Sequence, residues 1–345
     1  MREYELEVLE QYEIEITGTR KARGAFFCDT KEGTMLLKET KMSERRAPFF
    51  YAMLLNLKEN GGMNVELPVK NKEESFISTA RDGRKYMLKH WFNGKECDVF
   101  HENEILKATR QMAHLHTKIQ WVEGEENAAV LTGRHLKEEF LCHNREMKKV
   151  RSFIRQKVKK GKFEYLYLQY FEKMFSLAQQ VTKKLEESGY EDLYRKSIEQ
   201  KTLIHGDYNY HNVLILPEKN GPCREQKNGS EPGLALTGFE HFCIDVQAQD
   251  FYYFFRKVME KYRWDERIGQ EMLAVYSSVR KLEKEELEYI ALRLLYPEKF
   301  WKTASGYYRS NKAWISEKNV EKLSLSIAET EEKMKFIKHL FSLEM

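Results

Sequence analysis

The sequence predicts an α+β fold in two lobes, a small antiparallel β lobe over residues 1–90 and a larger, mainly helical lobe over residues 91–345. Three observations carry this expectation. Residues 14–38 alternate short β-like runs with Gly18, Gly24 and Gly33. Apolar residues return at helical spacing from Asp98 onward. One polar octet, His205-Gly206-Asp207-Tyr208-Asn209-Tyr210-His211-Asn212, runs into the apolar, strand-like stretch Val213-Leu214-Ile215-Leu216.

In the β lobe, the glycine-punctuated runs read as hairpins that end in Thr34-Met35-Leu36-Leu37-Lys38. Thr17 to Gly24 holds three cations without the standard Gly-x-Gly-x-x-Gly spacing, so it offers no more than a general attraction for a nucleotide or an acidic surface. Ser43-Glu44-Arg45-Arg46 opens a helix that carries Phe49, Phe50, Met53, Leu54 and Leu57 on one face and stops at Gly61-Gly62. Phe76 to Thr79 and Lys85 to Phe92 then read as strands joined by the turn Asp82-Gly83.

Phe100 to Thr117, with Ile105, Leu106, Met112 and Leu115, is an amphipathic helix. Its His114 and His116 stand two apart, face different sides of the helix and make no metal pair. Asn144 to Lys162 gathers cations around the single acid Glu146. Such a run reads as a solvated face, with an acidic docking partner as the alternative. Phe163 to Ser188 continues as a long helix, and the density of Pro, Gly and Asn between Pro217 and Gly233 predicts a solvated insertion within a hairpin. Helical patterns return after Asp250 and close on a stripe of Leu323, Ile327, Met334 and Ile337.

Composition bounds the function classes. The formal charge of +4 on 345 residues is too weak to imply nucleic acid. Five scattered cysteines lack zinc-like spacing and argue for free thiols in a reducing compartment. No apolar run reaches the roughly eighteen residues of a membrane span, and the acid-rich start has no signal core. The expectation is a chain that is soluble and cytoplasmic when made, with neither nucleic acid nor membrane as partner.

The octet is the most specific signal. In phosphoryl transfer an Asp accepts the proton of the acceptor hydroxyl, and an Asn five residues on holds a magnesium ion against the nucleotide phosphates. Asp207 and Asn212 stand at that spacing, with a strand behind them to anchor the loop. The same residue types also serve as turn and cap residues before a strand. The order His-x-Asp followed by Asn and then a strand is more specific than either role requires.

With these residues the chain resembles the aminoglycoside phosphotransferase and choline kinase group and, within it, the CotS family of spore coat proteins. The second stretch that carries the resemblance is Leu295-Tyr296-Pro297-Glu298-Lys299-Phe300-Trp301-Lys302, followed by Gly306-Tyr307-Tyr308 and by Lys312-Ala313-Trp314. Those aromatic residues serve equally as core or groove lining. The resemblance implies a two-lobed, protein kinase-like fold, with ATP and Mg2+ as cofactors. Asp207 and His205 would be the catalytic residues. Lys38 would pair the phosphates and Glu44 would pair Lys38, while Lys89, His90 and Trp91 would form the hinge that receives adenine. Asn212 and Glu240 would hold the metal.

The family pattern places a metal-binding Asp where this chain, aligned on Asp250, has Gly238, a residue with no ligand atom in its side chain. Asp250 itself is expected to cap the helix that follows and to brace the catalytic loop. The resemblance therefore implies a degenerate or weak kinase with a structural or assembly role among other spore coat proteins. The alternative is an active ATP-dependent phosphotransferase acting on a small-molecule or protein hydroxyl.

Overall fold

The computed structural model describes residues 7–22, 24–122, 131–217, 233–310 and 317–343. They form two compact units. One comprises the described parts of Met1–Thr132, Lys201–Asp250 and Val275–Arg280; the other comprises those of Gly133–Gln200, Phe251–Ala274 and Lys281–Met345. The β hairpin that follows residues 205–212 thus shares a unit with the N-terminal strands.

The first unit opens with strands β1 (Ile16–Ala22), β2 (Ala25–Thr30) and β3 (Gly33–Glu39), then helix α1 (Arg46–Glu59). Short strands β4 (Asn64–Val65), β5 (Ser78–Thr79), β6 (Lys85–His90) and β7 (Lys95–Glu96) precede helix α2 (Glu102–Lys118). All five strands of the main sheet lie at or before residue 90, pair antiparallel and follow the order β1-β2-β3-β6-β5. That is the antiparallel β lobe the glycine-punctuated runs predict.

Side chains alternate across this sheet. Met35, Leu37 and Leu88 point into a buried cluster with Val8, Leu9 and Tyr12. Leu36 pairs with Lys89 and Lys38 with Met87, so both lysines emerge on the opposite face. Helix α1 buries Phe49, Phe50, Met53, Leu54 and Leu57, the predicted set, and each large side chain contributes roughly 1.5–3 kcal/mol by leaving water.

The chain returns to this unit at β8 (Leu203–Ile204), β9 (Val213–Ile215), β10 (Leu234–Leu236) and β11 (Cys243–Ile244). A second sheet runs β4-β10-β9-β7, and β8 pairs with β11. The predicted insertion between β9 and β10 lies, apart from its ends, outside the described residues, as does Cys223. The cysteines described, Cys28, Cys97, Cys142 and Cys243, are free thiols.

The second unit is helical: α3 (Leu136–Gln156), α4 (Lys162–Glu187), α5 (Tyr190–Glu199), most of α6 (Ala248–Met259) and α7 (Glu266–Ser277), then α8 (Lys284–Leu295), α9 (Glu298–Arg309) and α10 (Glu317–Phe341). Helices α3 and α4 pack together, and α9 packs on both α3 and α10. Trp301 stacks on His143 with ring centroids 3.3 Å apart and donates its indole N–H to Glu146 at 2.7 Å. The Tyr307 hydroxyl donates to Glu164 at 2.9 Å, and Tyr308 is exposed. The aromatic motif therefore builds the α3–α9 contact, while Trp314 lies outside the described residues.

Candidate active site

The loop of residues 205–212 joins β8 to β9 and is pinned by one buried carboxylate. Asp250, in the first turn of α6, accepts the backbone N–H of His205 at 2.7 Å and of Gly206 at 2.9 Å. It also accepts Nε2 of the buried His116 at 3.2 Å, and the Tyr276 hydroxyl lies 2.6 Å from the other nitrogen of that ring. Gly206 adopts φ of +80°, and a Cβ there would fall 2.0 Å from the carbonyl oxygen of His241, so only glycine fits this crossing. Asp250 braces the loop, as expected.

His205 is fully buried and does not face the cavity. Its Nε2 donates to the Thr237 carbonyl at 3.0 Å, and its Nδ1 accepts the Asp207 N–H at 3.2 Å. Burial pushes the imidazole below its ordinary pKa, against the raising effect of Asp250, so the ring is neutral with its proton on Nε2. His205 positions the loop rather than touching a substrate. Asp207 in turn accepts Asn209 at 3.0 Å and Asn212 at 3.1 Å through its carboxylate. Asp207 and Asn212, the two residues chosen by spacing, are hydrogen-bonded neighbours.

Across from this loop, Gly238 follows β10 by two residues. Its φ is +81°, and a Cβ built on it would lie 2.6 Å from Asn212 Cγ. Any side chain at position 238 would thus fall against Asn212, and the chain offers no side-chain atom there.

Glu240, in the 3-10 turn Phe239–His241, is engaged elsewhere. Its Oε1 accepts Lys89 at 2.5 Å and Lys38 at 3.3 Å. Lys89 is 1% exposed and also donates to Glu66 at 3.1 Å, and Glu66 accepts the Gly238 N–H at 2.6 Å. Burial alone would push Glu240 up, but Lys89 and then Lys38 hold it well below the carboxylate range. The same two carboxylates outweigh the burial of Lys89 and raise its pKa. Glu66 is driven up by burial, against the pull of Lys89.

Lys38, Asp207, Asn212, Gly238 and Glu240 line one cavity of about 490 Å³, together with Lys41 and Arg46. The other predicted residues are not part of its lining. Glu44 precedes α1, is exposed, and pairs with Lys85 at 3.1 Å rather than with Lys38. The place expected for Glu44 beside Lys38 is taken by Glu240, because α1 begins at Arg46 and leaves Glu44 in the solvated turn before it.

Nor do the expected hinge residues offer their donors to a base. The His90 N–H goes to Leu67 at 2.9 Å and the Trp91 N–H to Thr34 at 2.9 Å. Lys89 turns its side chain into the buried ion pairs instead. Among the described residues, no group of three or more His, Cys, Asp or Glu is arranged to hold a metal ion.

Two features escaped sequence reasoning, the buried Glu66 and the side-chain role of Lys89. Both had a signal. Glu66 interrupts the apolar stretch Met63-Asn64-Val65-Glu66-Leu67, and Lys89 sits mid-strand beside Met87 and Leu88. Charged residues in such places are rare unless paired.

The fold has known counterparts. The chain is 22% identical over 349 residues to spore coat protein S of Bacillus subtilis (strain 168), covering 95% of this chain and 89% of that protein. Its fold matches the crystal structure of an aminoglycoside phosphotransferase from Alicyclobacillus acidocaldarius subsp. acidocaldarius DSM 446 with a TM-score of 0.81 and 15% identity, covering 98% of this chain and 95% of the other. A spectinomycin phosphotransferase, in complex with ADP and spectinomycin, matches with a TM-score of 0.61 and 9% identity over 96% of this chain and 97% of the other. The fold is thus the two-lobed, kinase-like fold of the aminoglycoside phosphotransferases. A family model described as "Spore coat putative kinase YutH" matches residues 5–340, and the chain belongs to that spore coat family.

Proposed function

We propose that this chain is a degenerate kinase of the spore coat, one that keeps the phosphotransferase scaffold for an assembly role and holds nucleotide weakly and without magnesium. The observation that carries this reading is the pairing of Gly238 beside Asn212 with a Glu240 already bound by two lysines. Magnesium demands near-octahedral oxygen ligation, usually through one or two carboxylates. The residues next to Asn212 supply one neutral amide oxygen and the Asp207 carboxylate, which is itself hydrogen-bonded to two asparagines. They do not fit that ion.

A nucleotide fits better. The spectinomycin phosphotransferase of the same fold is known with ADP, and Lys38 lines the cavity here with its side chain 44% exposed. A phosphate would have to compete with Glu240 for Lys38, so binding is weak. Membership of the spore coat family supports other coat proteins as partners. The second reading, an active phosphotransferase with a small-molecule or protein hydroxyl as acceptor, is favoured by the intact Asp207–Asn212 pair.

Calorimetric titration of ATP with and without magnesium separates the two readings. The degenerate kinase gives weak binding that magnesium barely changes and no turnover. Robust magnesium-dependent turnover that Asp207→Asn abolishes would overturn it.

A further inference from the structure

The kinase reading makes no use of a cavity in the helical unit. About 560 Å³ opens between α9 and α10, walled by Arg256, Lys299, Lys302 and Lys322 with Thr303 and Asn319, and Glu298 is its one carboxylate. A small enclosed space of about 20 Å³ shares Arg256, Glu298, Lys299 and Ser326 with it and adds Arg293 and Lys333. The larger volume suits a small ligand.

Charge is not balanced here. The two spaces together are lined by six cations and three carboxylates, Glu260, Glu298 and Glu329. Arg256 pairs with Glu260 at 2.8 Å, and Lys299 with Glu260 at 3.2 Å and Glu329 at 3.1 Å. Glu298 accepts the Tyr252 hydroxyl at 2.7 Å. Among the described residues, Lys302, Lys322 and Lys333 have no carboxylate within ion-pair distance. The Nε atoms of Arg256 and Arg293 are buried without an acceptor, while Nη1 of Arg293, a side chain only 8% exposed, pairs with Glu139 outside the two spaces at 3.5 Å. Burial first, and then Arg256, push Lys333 down to about 8, against the raising effect of Glu260 and Glu329.

A structural ion network would explain Arg293 and Glu298 but not the two unmatched lysines at the mouth. Concentrating like charges in a concave space is unfavourable unless an anion relieves it. We propose that this groove binds a small polyanion carrying two or more phosphate or carboxylate charges, with Lys302 and Lys322 at the mouth and Arg256 and Lys299 deeper.

The test is calorimetry on the full chain with inorganic pyrophosphate and with citrate at constant ionic strength. One site per chain is expected for at least one of them, and the arm that responds identifies phosphate or carboxylate as the recognised group. Lys302→Gln combined with Lys322→Gln should weaken that binding about tenfold or more, since both side chains are exposed and neither supports the core. Lys38→Met, in the other cavity, should leave it unchanged. The proposal is overturned by the absence of heat from both anions, by equal binding in the double variant, or by loss of binding in Lys38→Met.

Discussion

Around Asp207 every polar group answers another: Asp250 holds two backbone N–H groups and His116, His205 links the loop to β10, and Asp207 meets Asn209 and Asn212. Around Gly238 the same quality of bonding serves a different end. Glu66 and Glu240 neutralise Lys89 and Lys38, and the backbone of Gly238 is tied to Glu66. One side of the cavity is a loop tied by hydrogen bonds and the other a cluster of ion pairs. A cavity with no side chain at position 238 keeps its shape when the charges around it find each other.

The largest effect expected from breaking this contrast is at Lys89. Lys89→Met would leave Glu66 and Glu240 buried with one partner fewer each, and breaking a buried pair from one side costs about 3–5 kcal/mol. Chemical denaturation should show the loss, and adding Glu66→Gln to Lys89→Met should recover part of it. A loss under about 1 kcal/mol would mean that the cluster is wetter than its burial indicates.

The cluster also predicts an acid arm. Glu240 is depressed in the folded chain, so its share of stability is fully present above its unfolded value, roughly pH 4.3, and is lost as pH falls through its folded value. Glu240→Gln should flatten the stability profile below that pH.

Next in size is the brace. Asp250→Asn keeps the shape but turns an amide N–H2 toward one of the two backbone donors or toward His116, at a cost of about 2–3 kcal/mol for a buried unsatisfied group. Amide exchange at His205 and Gly206 should quicken. Unchanged protection there would argue that the loop is held by β8 and β9 alone.

Gly238→Asp should cost less, about 1–2 kcal/mol, because Asp tolerates positive φ better than most residues. The side chain must displace Asn212, whose Cγ lies 2.6 Å from the new Cβ. In exchange it places an acid beside Asn212, and ATP binding should become magnesium-dependent. If magnesium still changes nothing, the ion cluster rather than the missing acid is what disables the site.

The sequence made these two sides unequally legible. Asp207 and Asn212 lie within one loop, so their spacing alone carried the geometry, and Asp250 was readable as a brace, although it sits in the first turn of α6 rather than capping it. The antiparallel β lobe and the helix burying Phe49, Phe50 and Met53 followed from local periodicity. Glu44 and Glu240 show where that ends. Whether a lysine on β3 meets an acid before α1 or one some two hundred residues later is decided by long-range packing, which leaves no periodic trace. Lys89 was read through its backbone as a hinge because strand neighbours are local, while its carboxylate partners, Glu66 and Glu240, come from β4 and the turn after β10.

The smallest effect is expected where an active kinase would show its largest. Asp207→Asn keeps one carbonyl oxygen for Asn209 or Asn212, and either amide can turn to meet the new group, so stability should fall by only about 0.5–1 kcal/mol. Nucleotide affinity should stay within about twofold, since Lys38 rather than Asp207 meets the phosphates in the proposed mode. Placed beside Gly238→Asp, the same substitution becomes informative. If restoring the acid also restores transfer, Asp207→Asn must then abolish it, because a base is needed only when there is chemistry to serve. Should Asp207→Asn alone lower nucleotide affinity tenfold or more, Asp207 would already be holding a cation with Asn212, and the contrast between the two sides of the cavity would fail.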